Sequence, residues 1–136
     1  MIRYSRIKSA KLGNKKTVVD GIEFDSEKEA QRYCELKLLL RAGQIEDLQL
    51  QKEFELIPAQ YETYARYGKT GKRLKDGKRC TEQSCVYKAD FVYYKDGFMV
   101  VEDTKGYRDP SSAAYAKFVI KRKLMLWRYG IKIVEV

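Results

Sequence analysis

The chain has 136 residues, 44% of them hydrophobic, enough for one domain with a proper core and too apolar for a disordered polymer. Lys and Arg number 28 against 19 Asp and Glu, a net +9 that favours a polyanionic partner such as nucleic acid. There is no histidine, which excludes His-based triads, His-ligated nuclease centres and His proton shuttles and leaves acid–base chemistry to carboxylates, lysine, tyrosine or metal-bound water.

Cys34, Cys80 and Cys85 are odd in number and irregular in spacing, which suggests no disulfide framework, and without histidine they do not complete a zinc set. No apolar run approaches the length of a membrane span, and the basic N-terminus is not followed by a signal-peptide core. The expectation is a reducing cytoplasm, with no membrane partner and no organic cofactor.

Residues 1–15 form a basic arm with Arg3, Arg6, Lys8, Lys11 and Lys15; Lys16 follows, and no acid precedes Asp20. Such an arm is either a solvated tail or a set of cations that follows a nucleic-acid backbone. The stretches 16–19 and 22–24 flank Asp20-Gly21, which predicts a small hairpin. A helix is predicted from Glu27 to Ala42, ended by Gly43. Ser26 with Glu29 fits a capping box, yet Glu29, Tyr33, Leu36 and Leu40 also follow one helical stripe. Glu29 is therefore either a cap residue or a carboxylate aimed at a cleft.

Leu48, Leu50, Phe54 and Leu56 share one parity and predict a half-buried strand ending near Pro58. From Gln60 to Ser84 the pattern dissolves, so a long loop inserted in the domain is expected. It carries Tyr61, Tyr64 and Tyr67, and seven basic residues against one acid between Arg66 and Arg79. Lys69, Lys72, Arg73 and Lys75 are its candidate phosphate contacts, with the tyrosines as stacking platforms for bases. The bland alternative is a basic segment with no specific role.

Val86–Tyr94 and Phe98–Thr104 are two β-rich runs around Asp96-Gly97, a strong hairpin signal. If Lys95 pairs with Phe98, Asp90 falls opposite Asp103 and Lys88 opposite Lys105, and Asp90, Asp103 and Lys105 share a face. Facing carboxylates destabilise a sheet unless something bridges them, and a divalent cation such as Mg²⁺ is the chemical reason to keep them. A solvated face of mixed charge is the other reading.

Asp109-Pro110 then reads as N-cap and first position of a second helix, with Ala113, Ala116, Ile120, Leu124 and Trp127 as its apolar stripe and Gly130 as its end. Lys117 and Lys121 flank that stripe as surface lysines or phosphate contacts. Residues 131–136 predict a last strand. No boundary divides the chain, so 1–136 is one domain.

The blocks at 24–33, 88–91, 100–107 and 120–130, with Asp90 followed after twelve residues by Asp103-Thr104-Lys105, resemble a family of small phage and prophage proteins catalogued as a domain of unknown function and assigned to the PD-(D/E)xK nuclease superfamily. More distantly, they resemble the restriction-like endonuclease subunit of the Tn7 transposition machinery. The likeness covers about residues 15–136 apart from 60–84. It implies an α/β fold with a restriction-endonuclease-like core, a mixed β-sheet flanked by two helices in the order (β-hairpin)-α-β-β-β-α-β. It also implies that Asp90 and Asp103 bind Mg²⁺ or Mn²⁺ with the Thr104 carbonyl, that Lys105 is the active-site lysine, and that Glu29 is the first-helix acid. Ala89 stands where many members have proline, and Glu102 competes with Asp103 for the second acid; strand alternation favours Asp103.

The function expected is a metal-dependent DNA endonuclease in phage replication or recombination, acting in the bacterial host cytoplasm on duplex or branched DNA. The alternatives are a Holliday-junction resolvase, which needs a homodimer presenting two such clefts, and a non-catalytic nucleic-acid-binding subunit.

Overall fold

The computed structural model describes residues 15–105 and 108–136, so the basic arm, apart from Lys15, lies outside the described residues. Strands β1 (Thr17–Val19) and β2 (Ile22–Phe24) pair around Asp20 and Gly21, whose φ values of 51° and 75° are those a two-residue type I′ turn requires. Helix α1 (Glu27–Arg41) starts where the Ser26 hydroxyl accepts the Glu29 N–H at 3.1 Å, and Ala42 caps its other end. Its buried residues are Glu29, Ala30, Tyr33 and Leu36, so the helical stripe carries a carboxylate inward.

Strand β3 (Glu46–Ile57) is followed by β4 (Gln60–Tyr67) and β5 (Arg73–Glu82), which pair with each other as a separate antiparallel sheet. The long loop expected over 60–84 is thus a ribbon with only a short turn at its tip. The sequence conceals it because nearly every residue is exposed, so no apolar alternation marks its strands. Strands β6 (Cys85–Lys95) and β7 (Phe98–Asp103) form the central hairpin.

Helix α2 (Ala113–Tyr129) begins three residues later than the Asp109-Pro110 signal predicts, with Ser112 as N-cap. Asp109 instead shapes a turn before the helix: its carboxylate accepts the Ser111 N–H and its carbonyl the Ser112 N–H, both at 2.9 Å. Gly130, at φ 66°, ends the helix as predicted. Of the expected apolar stripe Leu124 packs against the core, while the other four residues turn outward. Phe118 and Met125 are buried, whereas Ala113, Ala116, Ile120 and Trp127 face solvent, Trp127 at 81% exposure. The helix is apolar on more than one face, and its orientation is set by polar tethers as well: Lys121 Nζ donates to the Val86 carbonyl, Arg128 to the Leu56 carbonyl, and Arg122 pairs with Glu135.

Strand β8 (Val134–Glu135) is shorter than predicted and runs parallel to β7. The central sheet has the order β3–β6–β7–β8 and is mixed. On one face α1 packs through Tyr33 and Leu36 against Phe91 and Tyr93; on the other α2 packs through Phe118 and Met125 against Tyr87, Val92 and Val101. Neighbours Phe91 and Val92 serve opposite cores, as alternation requires. Each such fully buried side chain contributes about 1.5–3 kcal/mol.

Candidate functional site

The β6–β7 turn closes on Asp96 and Gly97, at φ 51° and 80°, and Lys95 pairs with Phe98. The ladder then runs in the predicted register as far as Phe91 opposite Glu102. It stops one pair short of Asp90 and Asp103, because there β7 turns to its other neighbour. Asp103 pairs with Glu135, its carbonyl accepts the Val136 N–H at 2.9 Å, and the Lys105 N–H donates to the Val136 carbonyl at 3.1 Å. In the resulting gap the Asp90 carboxylate accepts the Thr104 N–H at 2.8 Å, so a side chain satisfies the donor that leaves the ladder. The expected pairing of Lys88 with Lys105 does not form; Lys88 is exposed, opposite Glu53 of β3.

The two aspartates are neighbours with different surroundings. Asp103 is 5% exposed; one carboxylate oxygen accepts the Tyr87 hydroxyl at 2.7 Å, and the other pairs with Lys105 Nζ at 2.6 Å. That ammonium also lies 3.8 Å from the centre of the Phe118 ring, between the sheet and α2. Burial, with Asp103 beside it, pushes the Tyr87 phenol far up, so it remains a donor. Asp90 has no ion pair among the described residues, and besides Thr104 it touches the Gln51 amide at 3.4 Å. Burial first, then the charge of Asp103, raises its pKa from 3.8 to about 6.

Glu29 enters the same region from α1. Ser26 caps its N–H, and its carboxylate accepts both the Gln51 amide at 3.2 Å and a backbone hydrogen bond at Asp25, the residue before the cap. Burial, and then the charges of Asp90, Asp25 and Asp103, raise it to about 7. Gln51 therefore bridges Glu29 and Asp90, from a strand position at φ 54°. Sequence reasoning missed it, although the register of β3 against β6 places it level with Asp90 between Leu50–Phe91 and Lys52–Ala89. Lys28 was missed as well: its ammonium donates to the Lys105 carbonyl at 2.9 Å. Beside these groups a cleft of about 230 Å³ is lined by Ile22, Phe24, Asp25, Glu29, Leu50 and Gln51.

Glu102, the rival second acid, faces α1, where it is buried against Arg32 and accepts the Tyr93 hydroxyl. Among the described residues no group of three or more His, Cys, Asp or Glu side chains could hold a metal ion. The oxygen donors at the strand ends are two carboxylates and the backbone and hydroxyl of Thr104, whose Oγ1 is buried without a hydrogen-bond partner among the described residues.

The candidate nucleic-acid cations are scattered. Lys15 and Lys16 are exposed, Lys16 pairing with Glu23 at 3.2 Å, and Lys117 is exposed on α2. Lys121 is half-buried and donates one of its three N–H bonds to the Val86 carbonyl at 2.8 Å. Lys69 and Lys72 lie in the β4–β5 turn, while Lys75 and Arg73 are on β5, Arg73 paired with Asp76 at 2.7 Å.

No helix among the described residues is long and apolar enough to cross a membrane. Residues 9–133 match the family model described as a protein of unknown function, DUF1064. No curated protein and no solved structure matches the chain.

Proposed function

The chain belongs to the DUF1064 family of proteins of unknown function, and from the site it carries we propose that it is a metal-dependent DNA endonuclease that hydrolyses phosphodiester bonds. One observation carries the proposal: Asp90 and Asp103 meet where β6 and β7 part, with the Lys105 ammonium on Asp103 and the Glu29 carboxylate facing the same space. A mixed sheet between two helices, with an acid on the middle strand and D-x-K at the end of the next, supports a restriction-endonuclease-like core.

The residues fit Mg²⁺ or Mn²⁺. Hard cations of this kind take oxygen ligands, commonly one or two carboxylates, with water and substrate phosphate completing the shell. Asp90 and Asp103, with the Thr104 carbonyl, would hold the ion. Burial lifts Asp90 and Glu29 first and the neighbouring carboxylate charges second, a charge surplus that a cation relieves, and the orphaned Thr104 hydroxyl lies at the same strand end. Bound there, the ion supplies a water of lowered pKa and a positive charge against the phosphorane's developing charge.

The chain's own groups do the rest. The Thr104 N–H and the Gln51 amide orient Asp90, and Tyr87 orients Asp103. Lys105, held against Phe118, offers an ammonium to the incoming water or to a phosphate oxygen. The setting would be phage DNA replication or recombination in the host cytoplasm. The test is a panel of duplex, nicked, flapped and four-way DNA incubated with protein in Mg²⁺ and in EDTA. Cutting in Mg²⁺ alone supports the proposal; cutting confined to four-way DNA assigns a resolvase; binding without cutting assigns a non-catalytic module.

A further inference from the structure

The β4–β5 ribbon has no evident part in the site just described. Its eight- and ten-residue strands stand apart from the central sheet, and of their residues only Gly77 is buried. A free two-stranded ribbon is marginal in water, so what stiffens this one is informative. The Tyr64 ring lies over Gly77, its cross-strand partner, so closely that a Cβ there would overlap it. The Arg79 guanidinium sits 5.2 Å from the centre of that ring and pairs with Glu62. On the opposite face Lys78 Nζ lies 4.5 Å from the centre of the Tyr61 ring. Two of the three tyrosines expected to stack on bases therefore rest one side of the ring on the ribbon itself, Tyr61 at 55% and Tyr64 at 40% exposure, beside Tyr67 at 64%.

The cations are distributed over the whole ribbon. Arg66 lies on the Tyr64 face, Lys78 on the Tyr61 face, and Lys69 and Lys72 in the turn between the strands. Of the ribbon's cations only Arg73 and Arg79 are ion-paired among the described residues. A flat anionic surface meets one face of a ribbon. Cations on both faces and at the tip match a slot with two anionic walls, which is what a duplex groove is. The major groove, about 12 Å wide, admits a two-stranded ribbon, and phosphates line both of its edges.

We infer that the β4–β5 ribbon is a duplex-binding arm that enters the major groove and contacts the phosphate walls with both faces. This deepens the DNA reading of the site, on which it rests for the choice of polymer, by assigning duplex rather than single-stranded DNA as what the arm holds. Tyr61 and Tyr64 act as internal struts.

The test is fluorescence anisotropy in EDTA, with a labelled duplex longer than two helical turns and with its single strand, across a salt series. The wild type is expected to prefer the duplex. Arg66→Ser and Lys78→Ser, on opposite faces, should each reduce the magnitude of the slope of log K against log salt by about 0.9, and the double variant by about 1.8. Circular dichroism confirms that these surface variants stay folded, and Lys78→Arg should keep the wild-type slope. Loss from one face only, unchanged slopes, or a preference for the single strand overturns the inference. Unchanged slopes in a protein that still cuts DNA in Mg²⁺ remove the arm and leave the nuclease. The predicted slopes in a protein that never cuts support the arm and remove the nuclease.

Discussion

Arg32 reaches across from α1 and grips Glu102 with two guanidinium nitrogens, at 3.0 and 2.5 Å, which assigns one of two adjacent acids to the core. Glu102 is 2% exposed and also accepts the Tyr93 hydroxyl. Breaking a buried pair by removing one partner leaves a charge uncompensated and costs about 3–5 kcal/mol. Glu102→Ala should therefore lower Tm by on the order of 10 °C while the folded fraction keeps metal-dependent activity. Thermal melts and cleavage assays below the transition check this. A stable, inactive Glu102→Ala would transfer the second acid's role to Glu102.

Asp90 and Glu29 should give the protein in EDTA an unusual pH dependence. Their carboxyls are raised on folding, Asp90 from 3.8 to about 6 and Glu29 from 4.5 to about 7, so the folded state holds protons the unfolded state has released. Their contribution to stability is complete below about pH 4 and is lost as pH rises towards 7. Melts of the metal-free protein should fall by several degrees between pH 5 and pH 7.5 on this account. Asp90→Asn should raise the pH 7.5 value and flatten the profile. A wild-type Tm that rises over this window, or an Asn variant that follows the same curve, contradicts the frustrated pair.

The two carboxylates were legible because Asp-Gly between β-rich runs fixes a register, and a register fixes neighbours. The sequence could not reveal that β7 leaves β6 one pair early, since that depends on pairing with β8, two residues long and distant in sequence. Glu29 was legible as a charged residue on a buried stripe; whether it caps or serves the cleft depended on Gln51, whose partners come from two other elements. On α2 the pattern misled, because two apolar sets share helical spacing. Phe118 and Met125, with the Lys121 and Arg128 tethers, decide between them through contacts the helix does not itself encode.

Gly77 supports the ribbon by what it lacks. Gly77→Val places a branched side chain where the Tyr64 ring lies, so the ring must leave its seat. Amide exchange over residues 60–82 should speed up markedly, while exchange in β6 and β7 stays at wild-type rates because the ribbon forms its own sheet. Duplex affinity should fall with it. Uniform acceleration across both sheets would instead make the ribbon part of the core's cooperative unit.

Conversion of supercoiled plasmid in Mg²⁺ tests the central claim most directly, run side by side for the wild type, Asp90→Ala, Asp103→Ala, Lys105→Ala and the surface control Lys123→Ala. The account predicts nicking or linearisation by the wild type and the control, none in EDTA, and a loss of at least about 100-fold in each of the three site variants while DNA binding persists. Wild-type rates in Asp90→Ala or Asp103→Ala, or cleavage that survives EDTA, would contradict it.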